Sequence, residues 1–170
     1  YLETGAFVIS KRKVVAPESR IGSKTSVYEI SEVESIDIDD RNDWLLAENL
    51  LKRKKIIFRV EGYLKLGLGH IYNCLTLAFS MMEHDVLLVI SKNSGEGIEK
   101  IKASNLPYRI IESDAEIDAL INEFKPDIWV NDCLDTDEKY MRHLKSMIPR
   151  VISIEDLGSG IKAVSYTHLR

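Results

Sequence analysis

The chain has 170 residues, 45% of them hydrophobic, which is enough for one ordinary core and a small second unit but not for two complete domains. Its 23 basic and 27 acidic residues give a formal charge of -4, and the basic ones gather into no long stripe, which argues against a nucleic-acid partner. No apolar run approaches the roughly 20 residues that cross a bilayer, and the first residues lack a basic-then-apolar signal pattern, so the expectation is a cytoplasmic protein without a membrane partner.

Residues 1–50 read as a fragment. Runs 6–10 and 26–30 have strand composition and are separated by the polar stretch 17–24. Run 35–38 alternates like a further strand, which would put Asp37 and Asp39 on one face, where two carboxylates can share a hard cation such as Mg²⁺. The plain alternative is a solvated edge strand followed by a capped helix, with Asp39 or Asp40 as the cap and apolar residues at helical spacing over 43–51. The stretch cannot build its own core and reads as the last edge of a larger domain. Residues 51–55 are a basic linker.

From residue 56 onward, short β-rich runs alternate with amphipathic ones. Strands are predicted at 56–60, 85–90, 108–111, 127–130 and 151–154. Between them Ile71, Leu75, Ala78, Phe79 and Met82 fall at helical spacing, as do Ile98, Ile101 and Ala103, then Ile117, Leu120, Ile121 and Phe124. A fourth helix is predicted at 138–147. Five strands joined by right-handed helical crossovers give an α/β fold with a doubly wound, Rossmann-like parallel sheet over 56–162. Cys74 and Cys133 lie far apart without metal-ligand spacing and read as free buried thiols. Residues 163–170 continue no pattern, resemble a translated sequencing-adapter scar, and are left outside the expected fold, His168 included.

The most informative segment is Glu61-Gly62-Tyr63-Leu64-Lys65-Leu66-Gly67-Leu68-Gly69-His70, which joins the first strand to the first helix. Glycines admit a phosphate or sugar close to the backbone, and a helix N-terminus offers free amides and a dipole that favours an anion. A histidine there would project into the cleft beyond the carboxyl ends of the strands, where it can take a proton near neutral pH. A structural turn with an exposed histidine has the same local sequence, and no third glycine completes a dinucleotide fingerprint.

The longer string Phe58-Arg59-Val60-Glu61-Gly62 through Ile71-Tyr72-Asn73-Cys74-Leu75-Thr76-Leu77-Ala78 is more specific, and it is joined by Pro126-Asp127-Ile128-Trp129-Val130-Asn131-Asp132 and Val151-Ile152-Ser153-Ile154-Glu155-Asp156. Together these resemble the UDP-2,4-diacetamido-2,4,6-trideoxy-altropyranose hydrolase of pseudaminic acid biosynthesis and related spore-coat polysaccharide proteins. The resemblance implies the first half of a GT-B-like fold holding a UDP-amino sugar, with His70 as the base that activates water and no metal in the hydrolase part. It further implies substrate contacts from Arg59, Glu61, Gly62, Gly67, Gly69, Asn73 and Asp132. The sequence departs from that pattern at Asn73, where the family has arginine, and after Asp132, where Cys133-Leu134 supplies no tyrosine.

The front stretch carries Glu3-Thr4-Gly5-Ala6-Phe7-Val8-Ile9, Arg20-Ile21-Gly22, Tyr28-Glu29-Ile30, Ser35-Ile36-Asp37-Ile38-Asp39 and Asp43-Trp44-Leu45-Leu46-Ala47-Glu48 in order. It resembles the C-terminal end of an N-acylneuraminate cytidylyltransferase, a nucleotidyltransferase whose Mg²⁺ would be bound here by Asp37 and Asp39 and whose sugar acid would lie near Gly5. Both resemblances imply one nonulosonic-acid pathway protein acting on a UDP-amino sugar, with CTP and a nonulosonic acid as partners of the synthetase part. A GT-B glycosyltransferase and a non-catalytic nucleotide-sugar-binding module remain open alternatives, as does homo-oligomerisation.

Overall fold

The computed structural model describes residues 7–31, 33–62 and 68–167. The chain divides into two compact units, 1–52 and 53–170.

The second unit is an all-parallel sheet. Its elements run β1 (Lys55–Val60), α2 (Gly69–Ser80), β2 (Asp85–Ser91), α3 (Gly95–Ala103), β3 (Tyr108–Ile111), α4 (Ile117–Phe124), β4 (Ile128–Asp132), α5 (Glu138–Met147), β5 (Arg150–Ile154) and β6 (Ser165–Thr167), after α1 (Arg41–Lys52) of the first unit. The spatial order is β3-β2-β1-β4-β5-β6 with every pairing parallel, which is the doubly wound, Rossmann-like arrangement. The expected helices and strands of residues 56–154 are all present, with ends displaced by one or two residues.

Alternation along the strands sorts side chains to two cores. Ile56, Phe58 and Val60 of β1, with Leu88 and Ile90 of β2, pack against Ile71, Cys74, Leu75 and Ala78 of α2. Ile57, Val89 and Trp129 face the other way, onto Ile117, Leu120 and Ile121 of α4 and Met141 and Leu144 of α5. A strand covered on both faces reads as a continuous apolar run rather than an alternating one, as Ile56-Ile57-Phe58 shows. Cys74 and Cys133 are free and buried, and burial pushes both thiols up, so neither is a thiolate at neutral pH.

Two expectations need correction. Residues 165–167, left outside the fold on sequence grounds, pair in parallel with β5, from Ile152 with Ser165 to Ile154 with Thr167. The outer edge of β5 presents unpaired backbone groups that any extended segment can meet. The expected strands at 6–10, 26–30 and 35–38 are not formed over the described residues; the backbone there is irregular apart from a 3₁₀ turn at Arg12–Val14 and one antiparallel bridge between Ala16 and Ser19. β-rich composition makes a strand only where a ladder partner and a core face exist. Here Ile9, Val27 and Tyr28 are 90%, 83% and 76% exposed, and no described residue of the first unit is buried.

The one α-helix among the described residues of that unit, α1, is capped as its acidic start suggests. Asp40 Oδ1 accepts from the amides of Asn42 and Asp43 at 2.6 and 3.0 Å, and Asp43 Oδ2 accepts in return from the amides of Asp40 and Asp39 at 3.1 and 3.2 Å. Segments without buried apolar contacts open at little free-energy cost, whereas those in a closed sheet open only with the whole fold. Limited trypsinolysis should therefore cut after Arg12, Lys13, Arg20, Lys24 and the exposed Lys52, Arg53 or Lys54 well before it cuts after the buried Arg59, leaving a resistant product that begins near β1, as mass spectrometry of the time course would show.

Candidate active site

Reversal of strand order between β1 and β4 creates the crevice in which such sheets hold ligands. In register, Val60 lies beside Asp132, and the amide of Glu61 donates to the Asp132 carbonyl at 3.4 Å. The chain then passes Gly62, where a Cβ would come within 2.6 and 2.8 Å of the buried Ile71 side chain. Glycine at 62 is thus what lets the end of β1 lie against α2. Its amide also donates to Ser94 Oγ at 3.3 Å, tying the loop to the start of α3.

α2 opens at Gly69 with apolar Leu68 at the cap position and no side-chain cap. His70, the second helical residue, turns back toward the end of β4. Its Nδ1 lies 2.6 Å from Asp132 Oδ1 and 4.0 Å from Glu155 Oε2 at the end of β5. The His70 side chain is 11% exposed, the Asp132 side chain 2%, and that of Glu155 26%. With Asp132 ionised, Nδ1 must carry the proton it donates, so Nε2 is left as the lone-pair acceptor. A carboxylate that fixes the tautomer of an imidazole is the arrangement by which histidine serves as a general base.

Asp132 is held at a cost. Its carboxyl is raised to about 6: burial pushes it up, the hydrogen bond and charge of His70 pull it part of the way down, and the charge of Glu155 raises it again. Its second oxygen, Oδ2, is buried with no hydrogen-bond partner among the described residues. A desolvated, half-satisfied carboxylate beside a histidine in the crevice of a doubly wound sheet has the character of a functional group rather than a structural one.

The other expected site residues divide. Glu61 is half-buried in the same loop, and Asn73 is exposed on α2 one turn beyond His70. Gly69 has open space where a Cβ would stand, so no packing among the described residues demands glycine there. Gly67 and Gly5 lie outside the described residues. Arg59 does not join His70: it shares the α4/α5 side of the sheet with Ile57. There its guanidinium, 5% exposed, donates to the Val60 carbonyl at 3.0 Å and lies 3.4 Å from Glu61 and 3.5 Å from Asp114. Asp37 and Asp39 are exposed on irregular backbone, not two apart on a strand. The amide of Asp39 joins the cap of α1, and among the described residues no group of three or more His, Cys, Asp or Glu could hold a metal, so these two aspartates do not by themselves make a Mg²⁺ site.

Sequence reasoning placed Asp132 against substrate and overlooked that it pairs with His70. It named Glu155 within a motif and gave it no role. The available signal was position, since both carboxylates stand at the carboxyl ends of adjacent strands, where parallel sheets gather their functional groups.

No family model and no solved structure matches the chain. Over 106 residues, 60% of the chain, it is 24% identical to an uncharacterized protein, MJ1062, of Methanocaldococcus jannaschii. The chain spans 22% of that relative's length.

A carboxyl raised to about 6 when folded and ordinary when unfolded makes the folded state bind the proton more tightly, so this group lowers stability as pH rises from about 4 to 6, and the penalty persists above that. Asp132→Asn should remove that dependence and leave the protein at least as stable at pH 8, where the raised carboxyl costs about 3 kcal/mol. Urea denaturation of both proteins at pH 4.5 and pH 8 checks the sign.

Proposed function

We propose that the sheet unit is the nucleotide-sugar-binding half of a UDP-amino-sugar hydrolase of nonulosonic-acid biosynthesis, in which His70 is the general base. The single observation that supports this most is the 2.6 Å contact from His70 Nδ1 to the buried Asp132 carboxylate, in the crevice beside β1 and β4. The contact keeps Nε2 unprotonated and steers it away from the sheet. In the reaction, Nε2 accepts a proton from water as the water oxygen bonds to the anomeric carbon. The bond from that carbon to the UDP oxygen breaks, and UDP leaves with the electron pair. Asp132 stabilises the imidazolium that results, and the start of α2 offers its amides to the diphosphate.

The front unit, on this reading, is the end of a cytidylyltransferase, making the whole protein bifunctional; its support is the motif order alone. Asp37 and Asp39 would complete a Mg²⁺ site only with further ligands from CTP and from the rest of such a domain. A GT-B glycosyltransferase shares the loop and the histidine but passes the sugar to an acceptor other than water, and analysis of products separates the two.

In a full-length protein, His70→Asn should reduce hydrolysis of a UDP-amino sugar by roughly 10²-fold or more while UDP affinity, read by isothermal titration, changes little. The 170-residue chain itself should bind UDP weakly and show no turnover. Full activity in the histidine variant would remove His70 from the chemistry, and a parallel collapse of UDP affinity would make it a binding group.

A further inference from the structure

Glu155 carries an unusual backbone. Three described non-glycine residues have positive φ: Asn105, Lys125 and Glu155, at 59°, 54° and 51°. Asn105 and Lys125 close α3 and α4, where a left-handed residue is the ordinary way to end a helix. Glu155 instead follows a strand, directly after β5, in a conformation that disfavours a residue with a Cβ.

The next residue holds it there. Asp156 is 1% exposed, and its carboxylate accepts from the amides of Thr136 and Gly158 at 3.0 and 2.8 Å, from Ser153 Oγ at 3.1 Å, and from Thr136 Oγ1. The loop after β4 is thereby clamped to the turn after β5, and neither Gly158 nor Gly160 has room for a Cβ. With Asp156 drawn inward, the residue before it is turned toward the crevice, and its carboxylate reaches the Nδ1 edge of His70. A strained backbone kept by a rigid surround and ending beside a histidine is the pattern of a functional position.

We propose that Glu155 is a positioning residue for the His70–Asp132 pair: the Asp156 clamp presents a second carboxylate, 4.0 Å away, to the Nδ1 edge of the ring that Asp132 holds at 2.6 Å. This deepens, and rests on, the reading of His70 as a base. Among the described residues, the charged and titratable groups around the pair are Asp132 from β4, the neutral Cys133 that follows it, Glu155 from the turn after β5, and the neutral Cys74 of α2. The charge of Glu155 opposes a second negative charge on Asp132. When Asp132 is protonated, Nδ1 loses its acceptor and the tautomer is no longer fixed, so Asp132 would set the acid limb of activity and Glu155, a smaller influence on that carboxyl than burial, would shift it. Removing the charge should move that limb to lower pH.

The test reads Asp132 directly, by carbon-detected NMR titration of its carboxyl in this chain, in the wild type and in Glu155→Gln, Glu155→Gly and Glu155→Asp. The first two variants should move the Asp132 midpoint below its value of about 6, and Glu155→Asp should largely retain it. Glu155→Gly should also raise the Tm, because glycine tolerates the left-handed backbone. An Asp132 midpoint that neither Glu155→Gln nor Glu155→Gly moves would overturn the proposal. In a full-length protein, Glu155→Gln should shift the acid limb of hydrolysis downward. Absence of any hydrolysis by the wild type would count against the hydrolase reading, while the titration would still decide the role of Glu155.

Discussion

The site depends on one pairing, that of β1 with β4. Residues 61–70 leave one strand and Asp132 ends the other, and only their adjacency sets an imidazole 2.6 Å from a carboxylate 62 residues away in sequence. Two apolar cores hold those strands in register from both faces, so the pair is fixed by the whole sheet rather than by its own hydrogen bond. That rigidity lets a carboxylate stay buried with one oxygen unpartnered. In a loop it would turn to water.

Preorganisation and stability pull in opposite directions here. Burial alone would neutralise Asp132, the histidine opposes that, and Glu155 restores part of it, leaving a carboxyl that titrates near 6 instead of near 4. A carboxyl balanced in this way can respond to a change of charge next to it, such as protonation of His70 or arrival of an anionic ligand. Strain at Glu155 and the missing partner at Asp132 Oδ2 both lie within this small volume, while the carboxylate of Asp156 nearby has a partner at each oxygen.

Much of the sheet was legible in the sequence because strands buried on both faces and helices buried on one carry strong apolar patterns. Tyr108–Ile111 and Glu138–Met147 fall where periodicity puts them. The front stretch was misread for the same reason in reverse: Phe7, Ile9, Val27 and Tyr28 suit a strand, and composition carries no information about whether a ladder partner exists. The place of His70 at the start of α2 was legible from the glycines before it and the helical apolar spacing after it. Arg59 misled because neighbours in a strand face opposite sides, so closeness in sequence to the loop did not mean closeness to the site. Glu155 was illegible because its role lies in a backbone angle and in the hydrogen bonds of the residue after it.

A hydrogen bond from Nδ1 to an ionised Asp132 leaves Nε2 of His70 as the unprotonated ring nitrogen. Long-range proton–nitrogen correlation spectra of the imidazole rings at pH 7.5, with His70 assigned by comparison with His70→Asn, report which ring nitrogen is protonated. The Nδ1-protonated tautomer is expected for His70 in the wild type, and its loss in Asp132→Ala. A His70 ring protonated at Nε2 in the wild type would contradict it.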